Sequence, residues 1–261
     1  MIESRKPAAL PAARTDTRRA SPLAHTRLWT SRHLSGEEQH ALGEAVLPAK
    51  AVRSGTDLVR EGERADSLFI VTEGWAVRHT ATREGGRQLP ALVVPGDVGN
   101  LDSLMFDRLD YGVRTVSPAK VVALPRDRAL ALAAQHPGIA RTFTWLALLE
   151  NAILSKWALS LGRRSAKEGL AHLLCELSVR LDAENGNESS FALPLTQEQL
   201  ADALGLTAVH VNRTMQQLRT GGMVATAERT VTLPNVAGLR QIGGFDPRYL
   251  HIDRPAKPEP A

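Results

Sequence analysis

Side chains able to read a pattern of hydrogen-bond donors and acceptors gather in one short stretch, Leu195–Leu218. Its second half carries Thr207, His210, Asn212, Arg213, Gln216 and Gln217, interleaved with Val211, Met215 and Leu218. The three apolar residues recur at steps of four and three, the period of one helical face. The polar ones therefore fall on the opposite face. Arginine, asparagine and glutamine in that setting can fork onto base edges, and threonine can meet phosphate oxygens. Nothing in the chain is spaced for covalent or metal chemistry. There is no nucleophile elbow, P-loop, His-Glu-x-x-His pair or dinucleotide glycine fingerprint, and pairs of acids alone are weak evidence, so the chain does not read as an enzyme. The single cysteine, Cys175, excludes an intramolecular disulfide and a multi-cysteine metal cluster. It falls in an amphipathic stretch where it reads as a small core residue.

The neighbouring residues supply what such a reading face needs. Thr196 is a helix N-cap with Gln199 three residues on, a capping box. Leu200, Ala203 and Leu204 give this first helix its apolar side, and Ala201 is small enough for two helices to cross closely. Gly205 falls at the turn, where a left-handed backbone is easiest without a side chain. Leu206 plugs the corner, and Thr207 caps the second helix. Met223-Val224-Ala225 and Thr230–Leu233, separated by Thr226–Arg229, read as a β-hairpin. Together these form a winged helix-turn-helix, with Arg229 in the wing. Residues 207–244 carry Arg213, Arg219, Arg229 and Arg240 against Glu228, a local charge of +3. The wider span 165–250 is −2, so only the docking edge is positive.

Upstream, Gly138–Leu161 has no internal proline or glycine, and Ile139, Phe143, Leu146, Ile153 and Trp157 approach a heptad seam. Leu148, Leu149, Leu154 and Leu161 widen the apolar surface, so the helix must be covered on more than one side. The simplest second cover is its own copy, which makes the chain a homodimer; the alternative is a core helix within one large domain. Gly162–Ser165 reads as a hinge, Leu170–Leu181 as an amphipathic helix and Asp182–Ser190 as a polar loop. From residue 34 to about 125, glycines punctuate short β-rich pieces: Leu58-Val59, Leu68–Val71, Trp75–Val77, Ala91–Val94 and Lys120–Leu124. That spacing predicts an all-β barrel or sandwich, preceded by a short helix with a Ser35/Glu38 capping box. Glu84–Arg87 sits where a hairpin tip belongs. Residues 1–33 hold seven Lys/Arg against Glu3 and Asp16, so this arm is +5 and carries the net charge of +4; its composition reads as disordered. No apolar run approaches the roughly 20 residues of a membrane span, and no secretory signal is evident. The expected compartment is the cytoplasm.

The order β-barrel, long apolar helix, winged helix-turn-helix resembles the Crp/Fnr family of bacterial regulators. The resemblance covers about residues 30–245 and rests on Gly62–Gly74, Gly96-Asp97 and, more specifically, Leu195–Val224. It implies an α+β chain in five parts. These are a basic arm (1–33), a jelly-roll-like β-roll of the cyclic-nucleotide-binding type (34–136), a dimerisation helix (137–162), the winged domain (165–245) and a tail (246–261). It also implies a homodimer on a near-palindromic site in double-stranded DNA, with RNA polymerase as a further candidate partner and no membrane. Arg213 matches the family's guanine-contacting arginine, and Thr196 and Gln197 match positions that touch phosphate. Val209 stands where familiar members have a base-contacting glutamate, and Ala208 where some have an arginine. The target sequence should therefore differ, with His210 and Asn212 sharing the reading.

Cyclic-nucleotide binders of this fold place a glutamate and an arginine in a cassette that matches Gly96–Tyr111. Here Asn100 replaces the glutamate, Asp110 stands where the arginine belongs and Arg108 is out of phase. Asp102, Asp107 and Asp110 crowd a site that would have to hold an anion. cAMP is not the expected effector. Asn100, Leu101 and Arg108 are the candidate lining of whatever pocket exists, and a cyclic-nucleotide response through a divergent cassette is the alternative. One cysteine is too few for an iron–sulfur cluster. His79 is the residue a haem would need, but it reads as an ordinary strand histidine. The effector is unassigned.

Overall fold

The structure is a computed structural model and describes residues 21–185 and 190–252. Residues 1–20 of the basic arm lie outside that range. Residues 21–33 correct the expectation of disorder. They form successive turns that bury Leu23, Leu28 and Trp29 against the body. Three apolar side chains without a period give no helix or strand signal, yet all three join one core with Leu42, Ile139 and Phe143.

Helix α1 (Gly36–Ala45) starts at Ser35, whose hydroxyl accepts from the Glu38 amide (3.2 Å) while Glu38 accepts from the Ser35 amide (2.7 Å). Seven strands follow: β1 (Lys50–Val52), β2 (Asp57–Val59), β3 (Ser67–Glu73), β4 (Ala76–Ala81), β5 (Arg87–Val93), β6 (Gly112–Thr115) and β7 (Ala119–Pro125). They make two antiparallel sheets, ordered β1-β7-β3 and β2-β6-β4-β5. Between the sheets lies a core that includes Val59, Val71, Val93, Val113 and Val121. Gly74, at φ 75°, is obligatory at the β3–β4 turn, because a Cβ there would come within 2.2 Å of the Pro118 carbonyl oxygen. Strands β1 and β6 are short and were not evident in the sequence pattern.

Helix α2 (Arg126–Gln135) leads into α3 (Pro137–Arg163), the long apolar helix. Of the expected dimer seam, Ile139, Phe143, Leu146 and Trp157 are buried within the single chain, and Ile153 is half-buried against the same body. That expectation is corrected: the periodic stripe covers this chain's own body. The first three join Leu28, Leu42, Leu68 and Val122 in a second core. A different apolar band of α3 stays open, with Leu148, Leu154 and Leu159 exposed at 64, 48 and 46 per cent.

The C-terminal part comprises α4 (Ala166–Asn185), β8 (Ser190–Ala192), α5 (Gln197–Leu204), α6 (Ala208–Thr220), β9 (Ala225–Ala227), β10 (Thr230–Thr232) and α7 (Val236–Gly243). Helix α4 extends to Asn185, into the stretch expected to be a loop, and Ser190 begins a strand that pairs with β10. The wing is thus a three-stranded sheet, ordered β8-β10-β9. The expected tail is also partly built, since a 3-10 turn at Pro247–Leu250 buries Tyr249 and Leu250. A third core runs without a break from Trp75, Leu89 and Leu92 of the β-roll, past Trp157 of α3, to Leu174, Leu200, Val211 and Leu218. The turn between α3 and α4 therefore joins two bodies that share one core, and it is not a free hinge in this structure.

Candidate nucleic-acid interface

Local chemistry sets up the α5–α6 pair. Thr196 Oγ1 accepts from the Gln199 amide (3.1 Å) and Gln199 Oε1 accepts from the Thr196 amide (2.9 Å), closing the capping box. Gly205 adopts φ 64°, and Thr207 Oγ1 accepts from the His210 amide (3.2 Å). Val211, Met215 and Leu218 are buried, as is Thr214, whose hydroxyl bonds back to the His210 carbonyl (2.8 Å). The outer face of α6 exposes Val209, Asn212, Arg213, Gln216 and Gln217, while His210 is half-buried. Among the described residues Arg213 makes no hydrogen bond or ion pair, so its guanidinium is available. Thr196 and Gln197 are exposed at the start of α5.

Arg219, which in the sequence counts only toward the positive edge, ties this surface together. Its guanidinium bonds Gln216 on α6 and Thr226 Oγ1 on the wing (3.0 Å). Gln216 is thus partly spent on Arg219. Glu228 and Arg229 form the exposed wing tip, with Glu228 at φ 52° and the Arg229 carbonyl accepting from the Leu193 amide (2.7 Å). Arg240, counted in the positive edge, is half-buried with its guanidinium 5.8 Å from the Phe245 ring centre.

Behind the reading face lies a buried ionic network that no sequence motif announced. Arg180 of α4 is only 4 per cent exposed. Its Nη2 donates to Asp97 Oδ2 (2.6 Å) and to the Leu92 carbonyl (2.7 Å) in the β-roll, and its Nη1 donates to Glu176 Oε1 (3.1 Å). Glu176, fully buried, also accepts from Trp157 Nε1 on α3 (3.1 Å) and from the Tyr249 hydroxyl (2.7 Å). Asp97 further takes Arg27 and the Val94 amide (3.0 Å). Burial opposes the charge on Arg180, but Asp97 and Glu176 outweigh it and hold the guanidinium above its ordinary value. Beside this network, burial pushes the Cys175 thiol up to about 12 and draws His172 down to about 4, so both are neutral near pH 7.

Residues 49–136 match the cyclic nucleotide-binding domain family, and residues 169–242 match the Crp-like helix-turn-helix domain family. The chain belongs to the Crp/Fnr family. It is 27% identical over 215 residues to the transcriptional activator protein FnrL of Cereibacter sphaeroides, covering 80% of this chain and 86% of that protein. It is 23% identical over 213 residues to the fumarate and nitrate reduction regulatory protein of Vibrio cholerae, covering 81% and 84%. The solved structure of FixK2 from Bradyrhizobium japonicum superposes with a TM-score of 0.69 at 26% identity, over 75% of this chain and 96% of that one. The protein is a helix-turn-helix transcription regulator of this family.

The Crp/Fnr β-roll raises the question of a cyclic nucleotide, and the residues present do not fit one. Asn100 is fully buried and committed to structure: its Oδ1 accepts from the Phe69 amide (2.8 Å) and its Nδ2 donates to the Ser67 carbonyl (2.9 Å). Arg108 bonds the Gly62 carbonyl (2.7 Å) on the surface. Of the three expected lining residues, only Leu101 faces the pocket between the β-roll and α3, a cavity of about 70 Å³. Three arginines also line that pocket, and each already has a carboxylate: Arg27 and Arg180 share Asp97, and Arg78 holds Glu150. Asp102 takes the Tyr111 hydroxyl and Asp107 pairs with Arg126 (3.1 Å), while Asp110 is exposed. Among the described residues lining this pocket, no arginine is without a carboxylate partner and so to spare for a phosphate. His79 is half-buried, its ring seated against Gly112, where a Cβ would come within 2.4 Å of Nε2. Burial, then Arg114, lowers its pKa.

Proposed function

We propose that two copies of this chain, paired along the open band of α3, read a near-palindromic DNA site through α6 and regulate transcription in the cytoplasm without cAMP. The observation that carries the reading is Arg213: an exposed guanidinium with no partner among the described residues, on the face of a capped helix opposite its buried stripe. Asn212 and His210 flank it for further base contacts, and Gln216 is shared with Arg219. Thr196, Gln197 and Thr207, at the starts of α5 and α6, and Arg229, at the wing tip, sit where phosphates of a docked duplex pass. The open band supports pairing because Leu148, Leu154 and Leu159 lie uncovered on a helix long enough to span both halves of a dimer. RNA polymerase is the natural further partner of such a complex.

Binding sites should first be selected from a random duplex pool. Arg213→Ala is then expected to remove about 1–3 kcal/mol of discrimination per half-site between the selected duplex and a scrambled one. Most of the salt-dependent, non-specific binding should remain. Arg229→Ala should weaken both duplexes alike and lower the salt slope by about one. Titrations at several salt concentrations decide it. Equal loss on both duplexes for Arg213→Ala would make it a phosphate contact and return base reading to His210, Asn212 or Gln216.

A further inference from the structure

Val209 is 81 per cent exposed, more than any other large hydrophobic residue among those described. It stands in the first turn of α6, one residue after Ala208, in line with Asn212, Arg213 and Gln216 at steps of three, four and seven. Every other exposed side chain in that line is a hydrogen-bonding one. A β-branched residue in a helix is held near one rotamer, so its two methyl groups point in a fixed direction. Nothing among the described residues covers them.

A helix docked by its N-terminal turns pushes its first residues deepest into the major groove. The groove floor offers donors and acceptors at every base pair but only one apolar group, the C5-methyl of thymine. We infer that Val209 is a specificity-determining residue that packs on a thymine methyl. The inference rests on the proposed DNA reading by α6 and adds to it a named base. Val209 and Arg213 lie four residues apart, about 6 Å along the helix axis. Base pairs are stacked about 3.4 Å apart. The thymine should therefore lie about one or two base pairs from the guanine that Arg213 reads, in each half-site.

Uracil differs from thymine only by that methyl, which makes it the probe. In the selected duplex, each thymine is replaced singly and then symmetrically by deoxyuridine, and the full-length protein is titrated against each. One position per half-site should weaken binding by about four-fold, the equivalent of one unburied methyl, and the symmetric pair by about fifteen-fold. For Val209→Ser the same duplexes should bind equally, whereas Val209→Thr, which keeps one methyl, should retain part of the difference. Wild-type binding to the selected site that is indifferent to uracil everywhere overturns the role of Val209 and leaves the DNA reading intact. A uracil effect that persists unchanged in Val209→Ser overturns it too. Failure of the wild type to prefer the selected duplex over a scrambled one overturns the DNA reading itself, and this inference with it.

Discussion

Asp97→Ala is expected to destabilise the chain by about 3–5 kcal/mol, although Asp97 lies in a loop and touches no DNA-facing residue. Its carboxylate is the main counter-charge to Arg180, which is nearly fully buried and has only Glu176 otherwise. Arginine cannot escape by losing its proton, so the charge stays where it is without compensation. Arg180→Met should be similarly costly, because it leaves Asp97 and Glu176 short of a donor. The double variant Asp97→Ala with Arg180→Met should cost less than the sum of the two, since neither member of the pair is then left facing an absent partner, although Glu176 still loses its arginine. Urea denaturation measures all of this. The expected result is a lower midpoint with an unchanged slope, and a coupling energy of at least about 1 kcal/mol. Additive losses would mean that Arg180 and Asp97 are neighbours without energetic consequence.

Leu148→Glu with Leu154→Glu is expected to turn the dimer into monomers. Each leucine contributes about 1.5–3 kcal/mol when buried, and a two-fold axis counts each loss twice. Because the two leucines are 64 and 48 per cent exposed in the single chain, the interface would lose roughly 3–7 kcal/mol before the cost of confining the carboxylates, about two to five decades in Kd. Sedimentation velocity should show half the mass, and the circular dichroism spectrum should be unchanged. Leu146→Glu with Phe143→Glu should behave differently and unfold the chain, because both are buried in the single-chain core. A double variant at 148 and 154 that stays dimeric would place the contact elsewhere.

The contrast between these two pairs shows where sequence was informative. Periodicity reveals that a helix face is apolar but not what covers it, so the stripe at Ile139, Phe143, Leu146 and Trp157 was assigned to a partner when the β-roll and N-terminal turns take it. The α5–α6 pair was legible because its determinants are local: the Thr196–Gln199 box, the left-handed Gly205 and the Thr207 cap each act within four residues. Strand β8 was not, because three residues carry no pattern and their pairing partner is β10, far along the chain. Residues 21–33 were hidden by composition, their arginines masking Leu23, Leu28 and Trp29. The Arg180 network was the least visible. Glu176 and Arg180 look like an ordinary surface pair one helical turn apart, and nothing local tells that Asp97, 83 residues away, draws them both inside.

The continuous core and the Arg180 network together make the β-roll and the reading head one rigid body. In the proposed dimer, two such bodies joined along α3 would act as a caliper whose points are the two α6 helices, with a span that side-chain packing sets. An operator whose half-sites stand slightly too close or too far cannot be met by a swing of the protein; the intervening DNA must twist or bend to reach the points. That deformation costs different amounts for different sequences, because pyrimidine–purine steps yield easily and A-tracts resist. Base pairs at the centre of the site, touched by no side chain, thereby enter the choice of promoter through their stiffness.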